Sequence, residues 1–233
     1  MTRCLNCAVR NVGICGALTD EQLSDFHRIG QWRTYQPGER FFSSQEDEPF
    51  VGAIHKGTAK VTKTLLDGRS QIVGLLFPPN CCGQTLSVDN AYLIEALTRI
   101  EICIFKLASF QQMAMKYPGL NGRLLKQALE DLDAAQDWMV LLGQKSAEER
   151  VASFFLRMSK QPTTFINDDI NVAAKPGYFR LQLGRQDMSD CIGLNYDTVC
   201  RHISTLKKRN LIAFDGPNYF RVLDMENLVK LAG

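Results

Sequence analysis

Residues 183–210 read LGRQDMSDCIGLNYDTVCRHISTLKKRN and carry the most specific structural signal in the chain. Apolar residues recur at helical spacing in two runs, Met188, Cys191 and Ile192 in the first and Val199, Ile203 and Leu206 in the second. Between the runs, Gly193 permits a sharp turn and Asn195 can cap the second helix. The pattern predicts two crossed helices, a helix-turn-helix.

The exposed face of the predicted second helix is basic, because Arg201, Lys207, Lys208 and Arg209 stand against one acid, Asp197. A merely solvated basic helix is the alternative interpretation. The position of this helix directly after a tight glycine turn favours DNA contact instead. The stretch IAFDGPNYFRV, residues 212–222, is interpreted as a hairpin that would form a wing beside the groove.

Three residues near the start of that helix, Asp197, Cys200 and Arg201, share one face through i, i+3 and i+4 spacing. The N-terminal residues of a recognition helix meet base edges. Arg201 can bond O6 and N7 of guanine together, and Asp197 can accept from the amino group of cytosine. Lys207 and Lys208 are predicted to neutralise phosphate and set the register.

An earlier stretch carries apolar residues spaced 3, 4, 3, 4 and 3, namely Leu125, Ala128, Leu132, Ala135, Met139 and Leu142. This is the spacing of a coiled-coil seam within a long helix. A helix that packs on the core of its own domain is the alternative. Because the stripe is narrow and the helix is long, we favour a dimer seam.

Turn signals punctuate residues 31–110 about every ten residues, the rhythm of short antiparallel strands. The DG pair at Asp67 separates AKVTKTLL from RSQIVGLLF and predicts a hairpin. We therefore expect an α+β protein. Its predicted parts are a cysteine-containing N-terminal segment with a short helix (1–30), a β-roll sensor domain (31–117), a dimerisation helix (118–145) and a winged helix-turn-helix domain (146–233).

Composition narrows the function class. The 233 residues are 45% hydrophobic and carry a net charge of +2, with no membrane-length apolar run and no secretory signal, so a cytoplasmic protein is expected. Thiols stay reduced there, and the eight cysteines are therefore a poor disulfide framework. The sequence shows neither a substrate-binding glycine loop nor a catalytic triad, so an enzyme is not expected. His27, His55 and His202 are interpreted as structural or surface residues.

The predicted roll, the segment LDAAQDWMVLLGQKSAEER and the stretch RQDMSDCIGLNYDTVCRHISTLKK together resemble the CRP/FNR superfamily of bacterial transcription regulators. The AEER segment and the helix-turn-helix are similar to the FNR branch. Members of that branch with an N-terminal C-x2-C-x7-C bind an oxygen-labile [4Fe–4S] cluster. Cys4, Cys7 and Cys15 have this spacing.

A cluster usually takes four thiolates. Ile100, Ile102 and Ile104 alternate towards one face of a strand, so Cys103 should point to the outer face, and the resemblance also places the family's central ligand there. Cys81 and Cys82 are interpreted as small residues in a tight turn, Cys191 as core, and Cys200 as base-facing. The spacing alone leaves a zinc site or a bare dithiol sensor open; the resemblance favours the cluster.

Cyclic-nucleotide binders of the superfamily hold the phosphate with a glutamate and an Arg-Ser or Arg-Thr pair. The corresponding stretch here is NCCGQTLSVDNAYLIEAL, with Gln84 in place of the glutamate and no arginine. A buried phosphodiester would lack its partner, so no cyclic nucleotide is expected.

The resemblance implies a homodimeric, oxygen-responsive transcription regulator that acts with RNA polymerase and reads a palindrome similar to TTGAT-N4-ATCAA. The family's recognition helix usually carries E-x-x-S-R, whereas Asp197 and Cys200 stand at the first and fourth of these positions. Ala135 lies on the seam where some relatives carry a carboxylate, so cluster loss should monomerise this protein less completely. The alternatives are a cluster-free regulator that senses redox state through its thiols and, less favoured, an iron–sulfur electron carrier.

Overall fold

The computed structural model describes residue 4 and residues 6–43, 48–83, 92–161 and 177–233. The chain divides into two compact units. The first comprises Met1–Arg69 and Val73–Asp133, and the second comprises Ser70–Ile72 and Ala134–Gly233. The division falls within one long helix that both units share.

The first unit is the predicted β roll. Among the described residues of this unit, a short 3-10 helix (Ile14–Ala17) and helix α1 (Asp20–Ile29) precede eight strands, which are β1 (Gly30–Tyr35), β2 (Arg40–Ser43), β3 (Phe50–Lys56), β4 (Ala59–Thr64), β5 (Ser70–Leu76), β6 (Cys81–Cys82), β7 (Leu93–Ala96) and β8 (Ile100–Lys106). They form two four-stranded sheets, ordered β1-β8-β3-β6 and β2-β7-β4-β5. The predicted DG hairpin joins β4 to β5, where the Leu65 N–H donates to the Arg69 carbonyl.

Side chains alternate along β8 as the sequence predicts. Ile100 and Ile102 are buried in the core that strands of both sheets share. Cys103 and Phe105 face the other way, and Phe105 stacks on Phe26 of α1 with ring centroids 4.2 Å apart. Helix α1 and helix α2 (Leu107–Lys116) cover this outer face, so Cys103 is only 6% exposed.

The interpretation of Cys81 and Cys82 as turn residues is wrong. They form strand β6, in which Cys82 pairs with Gly52 and Cys81 pairs with Ala53 of β3. In a strand, the backbone N–H and C=O groups of this dipeptide find partners within the protein, whereas in an isolated turn they would bond to water.

Helix α3 (Gly119–Gln144) is 26 residues long and contains the predicted seam. Several of its apolar side chains are exposed, including Leu125 (62%), Leu132 (51%) and Met139 (69%). Within the part of the chain that the structure describes, no helix is both long and apolar enough to cross a membrane.

The second unit is the predicted winged helix-turn-helix. Its elements are α4 (Ala147–Ser159), β9 (Phe179–Arg180), α5 (Arg185–Ile192), α6 (Tyr196–Lys208), β10 (Ile212–Phe214), β11 (Tyr219–Val222) and α7 (Met225–Ala232). Strands β9, β10 and β11 form an antiparallel sheet in the order β10-β11-β9. Helix α4 begins with a capping box in which Ser146 and Glu149 bond each other's backbone N–H. The α+β architecture is confirmed.

Candidate functional site

The turn between α5 and α6 has the geometry that the sequence predicts. Gly193 ends α5 in the left-handed conformation, with φ of 63°, which favours glycine. A Cβ at this position would lie 3.2 Å from a side-chain carbon of Leu142, so the close packing also favours glycine. Asn195 caps α6, because its side-chain oxygen accepts from the Thr198 N–H at 2.8 Å.

Helix α6 buries one face and exposes the other. Val199, Ile203 and Leu206 lie in the core of the unit. The predicted DNA-contacting residues Asp197, Arg201, Lys207 and Lys208 are exposed, whereas Cys200 is half-buried. The surface next to Cys200 is therefore less open than the sequence alone suggests.

Two neighbouring residues of this surface, Tyr196 and Arg185, are not among the DNA-contacting residues predicted from the sequence. Tyr196 is the first residue of α6 and is 50% exposed. Arg185, the first residue of α5, places its guanidinium 4.8 Å from the ring centre of Phe214, and burial lowers the pKa of Arg185. An aromatic residue directly after a cap and an arginine at the first position of a helix are the sequence signals that could have found them.

The predicted dimer seam is only partly covered by the chain itself. Leu125, Ala128, Leu132 and Met139 are exposed, and Ala135 and Leu142 are half-buried. Leu129 and Val140, which the sequence analysis did not assign to the seam, are also more than half exposed. A long helix with such an apolar stripe has the surface that a second helix can cover.

The three N-terminal thiols lie on the outer wall of the roll. The segment that carries them, Cys4 and residues 6–18, is called the leader below. Cys4 and Cys15 pack against the buried cluster that contains Cys103 and Phe105. Gly30 makes room there, because a Cβ on this glycine would lie 2.9 Å from the Cys103 sulfur.

Histidines hold two of the leader thiols. The Cys4 sulfur lies 3.1 Å from Nδ1 of His27, and the Cys7 sulfur lies 3.0 Å from Nδ1 of His55. The His55 ring stacks on Trp32, with centroids 4.2 Å apart. From the sequence, both histidines are expected to be structural or surface residues. No local pattern shows these contacts, because they join residues 23 and 48 positions apart.

The environment of the thiols favours their protonated form. Burial, with smaller contributions from the neighbouring Cys7 and Cys4, raises the pKa of Cys15 to about 12. Burial also raises the pKa of Cys7. Burial raises the pKa of Cys81 well above its ordinary value, with smaller contributions from Cys82, Cys15 and Asp131. Cys15 thus lies near both the other leader thiols and strand β6.

The fit of these residues to an iron–sulfur cluster can be tested on donor type and on placement. Four cysteines supply the required donor type, and Cys4, Cys15 and Cys103 share one cluster of side chains. In the described residues, no three histidine, cysteine or acidic side chains already lie in an arrangement that could hold a metal ion. The donors therefore fit in chemistry and in region, and their convergence would require the leader to shift.

The predicted absence of a cyclic-nucleotide phosphate site depends on the stretch around Gln84. Residues 84–91 lie outside the described part of the chain. That prediction therefore stays a prediction.

Comparison with known proteins agrees with this geometry. The family model of the Crp-like helix-turn-helix domain matches residues 149–231, and that of the cyclic nucleotide-binding domain matches residues 32–117. The transcriptional activator protein FnrL of Cereibacter sphaeroides is 35% identical over 231 residues, which are 99% of this chain and 92% of that protein. The nitrogen fixation regulation protein FixK of Bradyrhizobium diazoefficiens is 31% identical over 210 residues, 90% of this chain and 86% of that protein.

A solved structure gives the same result. The structure of FixK2 from Bradyrhizobium japonicum matches with a TM-score of 0.75 and 27% identity, covering 88% of this chain and 98% of that one. Both domains, their order and the long helix between them are thus those of known regulators. The chain belongs to the CRP/FNR superfamily and is a DNA-binding transcription regulator of the FNR/FixK type.

Proposed function

We propose that this regulator is an oxygen-responsive homodimer whose DNA binding is controlled by an oxygen-labile [4Fe–4S] cluster held by Cys4, Cys7, Cys15 and Cys103. The observation that carries the proposal is the packing of Cys4 and Cys15 against the buried cluster that contains Cys103. The chain thereby brings thiols from a separate N-terminal segment to a thiol in the wall of the sensor domain.

The bound cluster would supply an oxygen-labile link between the leader and the roll. Residues of the chain shape the surroundings of the thiols. Gly30 leaves space for the Cys103 sulfur, and α1 and α2 exclude water from it. His27 and His55 hold the thiols of Cys4 and Cys7 close to the same wall.

DNA recognition is assigned to the exposed face of α6. Arg201 would take O6 and N7 of guanine, and Asp197 would accept from a cytosine amino group. Cys200, a weak donor, would lie beside them. Lys207 and Lys208 would neutralise phosphates. The site would be a palindrome, because two copies of the helix present the same face in a symmetric dimer. The resemblance to the FNR branch implies that its sequence is similar to TTGAT-N4-ATCAA.

The dimer interface is assigned to Leu125, Ala128, Leu132, Ala135, Met139 and Leu142 on α3. The exposure of Leu125, Leu132 and Met139 supports this assignment. The protein would act in the cytoplasm as an activator that contacts RNA polymerase, without a cyclic nucleotide and without enzymatic activity. The names of relatives such as FnrL, a transcriptional activator, support the activator role.

A second candidate is a cluster-free regulator that senses oxidation through its thiols. The pairing of Cys4 and Cys7 with imidazoles favours it, because these thiols already have partners without a metal. A zinc site on the same thiols is a further alternative. An iron–sulfur electron carrier is the least supported candidate, because such a protein has no use for a helix-turn-helix.

The test is purification without oxygen, followed by an absorbance spectrum, iron and sulfide analysis, and operator binding before and after air. We expect a coloured protein with about four irons per chain, loss of colour in Cys103→Ser, and retention in the control Cys191→Ser, whose thiol is buried on α5. A colourless, iron-free wild type that binds its operator equally in air would overturn the cluster. Iron-free protein that loses binding on oxidation and regains it with a thiol reductant would support the second candidate.

A further inference from the structure

The leader docks directly on the first turns of α3. The Arg123 guanidinium donates to the backbone carbonyl of Asn11 at 3.2 Å. A Cβ on Gly16 would lie 2.4 Å from that carbonyl oxygen and 2.9 Å from the Arg123 guanidinium, so only glycine permits this approach. One turn earlier on the helix, Gly119 lies against Ala17. The leader therefore packs closely against the first turns of α3 at Gly16 and at Gly119.

A second residue of the same helix binds the roll. Gln127 follows Arg123 by four positions, so both side chains lie on one side of α3. The Cys81 N–H donates to Oε1 of Gln127 at 2.9 Å, and Nε2 of Gln127 donates to the Cys81 carbonyl at 3.1 Å. Strand β6 lies at one end of its sheet, and the Gln127 amide bonds it there as a neighbouring strand would.

The two contacts lie next to the seam. Leu125 and Ala128 occupy the positions between and directly after Arg123 and Gln127. Because an α-helix is stiff over a few turns, a shift or rotation imposed at these two residues carries the neighbouring seam residues with it. The hydrogen bond of Arg123 requires the leader to be in place, whereas the hydrogen bonds of Gln127 require only the roll.

We propose that Arg123 and Gln127 are the positioning residues that convert the docking of the leader into the position of the dimer seam. Gln127 anchors α3 to the edge of the roll, and Arg123 adds the contact that exists only while Asn11 is docked. The inference rests on the proposed function, because the cluster would hold the leader on the roll and loss of the cluster would release it. It concerns two residues that bind neither iron nor DNA.

The experiment compares Arg123→Ala, Arg123→Lys and the matched control Lys126→Ala, which removes a basic side chain from the same helix. Lys126 is exposed and lies 3.8 Å from Glu130. For each protein, iron content, the unfolding midpoint and the dimer dissociation constant are measured without oxygen and after air. We expect a wild-type ratio of the two dissociation constants within the range of about 5 to 150 that is usual for coupled sites.

In Arg123→Ala this ratio should fall close to 1 while iron content and the unfolding midpoint stay unchanged. Arg123→Lys, which keeps one donor for the carbonyl, should restore part of the ratio, and Lys126→Ala should keep the wild-type ratio. An Arg123→Ala protein with bound iron and the wild-type ratio would overturn the inference and leave the proposed function intact. A wild type that binds no iron and shows a ratio of 1 would overturn both.

A second arm addresses Gln127 without any cluster. Amide hydrogen exchange of the segment around Cys81 is measured in cluster-free wild type, Gln127→Leu and Gln127→Glu. Gln127→Leu keeps the bulk of the side chain but loses both hydrogen bonds. The Cys81 amide should then exchange at least about tenfold faster, because it loses the protection that one hydrogen bond gives. Gln127→Glu keeps the acceptor and should exchange more slowly than Gln127→Leu. Equal exchange in all three proteins would contradict the anchor.

Discussion

The guanidinium of Arg150 donates to the backbone carbonyl of Leu142 at 2.7 Å. The same side chain bonds the carbonyls of Lys145, Ile192 and Gly193 at 2.9, 3.3 and 3.4 Å. One arginine therefore joins the last seam residue of α3 to the turn of the helix-turn-helix. The AEER segment, noticed in the sequence only as a family feature, thus has a physical role at its final residue.

Arg150→Ala should destabilise the second unit, because it leaves four carbonyl groups without this donor. We expect a loss of about 1.5–3 kcal/mol in the free energy of unfolding, the range for hydrogen bonds to charged groups. Urea unfolding of the full chain measures it, with the exposed Lys160→Ala as the control. A loss no larger than that of the control would contradict the role of Arg150.

The exposed stripe on α3 predicts that Leu132→Ala weakens the dimer without destabilising the monomer. Leu132 is 51% exposed in the single chain, so truncation removes apolar area that only a partner can bury. Sedimentation should show a dissociation constant at least about tenfold higher, the effect of some 1.4 kcal/mol. Leu66→Ala, on the fully exposed leucine of the β4–β5 hairpin, is the control and should leave the dimer unchanged.

Arg201→Ala should remove sequence preference, whereas Lys208→Ala should weaken binding to all sequences alike. Arg201 is assigned to a guanine edge, and its loss should cost about 1–3 kcal/mol per half-site. Lys208 is assigned to a phosphate, and its loss should reduce the salt slope of binding by about 1. Fluorescence anisotropy on the palindrome and on a scrambled duplex, at several salt concentrations, separates the two effects. An unchanged preference in Arg201→Ala would refute the assignment.

Gly30→Ala tests the space reserved for the Cys103 thiol. The added methyl would lie 2.8 Å from a ring carbon of Phe105 and 2.9 Å from the Cys103 sulfur. We expect a loss of about 1–3 kcal/mol from overpacking and a lower iron content after anaerobic reconstitution. Gly122→Ala is the control, because nothing lies near a Cβ at that helical position and stability should stay equal or rise. Equal stability of Gly30→Ala and wild type would show that Phe105 and Cys103 move aside without cost, which would contradict the prediction.

The Cys82 thiol predicts a pH dependence of stability. Burial raises its pKa from about 9 when unfolded to about 12 in the folded protein. Because the raised pKa keeps the thiol protonated in the folded protein, its contribution to the free energy of unfolding is fully present below pH 9. That contribution is lost as the pH rises from 9 towards 12. Urea unfolding at pH 8 and pH 10 should show a loss of about 1 kcal/mol in wild type beyond that in Cys82→Ala. An equal loss in both proteins would show that the thiol titrates normally.

Local patterns in the sequence were enough to predict the main elements. The alternation of Ile100 and Ile102 with Cys103 identified the faces of β8, and the structure confirms it. Gly193 and Asn195 located the turn and the cap of the helix-turn-helix, because both residues act on backbone groups only a few positions away. Such signals depend on neighbours in the chain, and a single sequence contains them in full.

Contacts between distant residues decided the rest. The sequence placed Cys103 on the outer face of the roll, but only the packing of α1 and α2 buries it there. The pairing of Cys81 with Ala53, and the contacts of His27 and His55 with the leader thiols, join residues far apart in the chain. Periodicity and capping assign a side chain to a face, whereas the segment that covers this face is chosen by packing over the whole unit, which no local pattern contains.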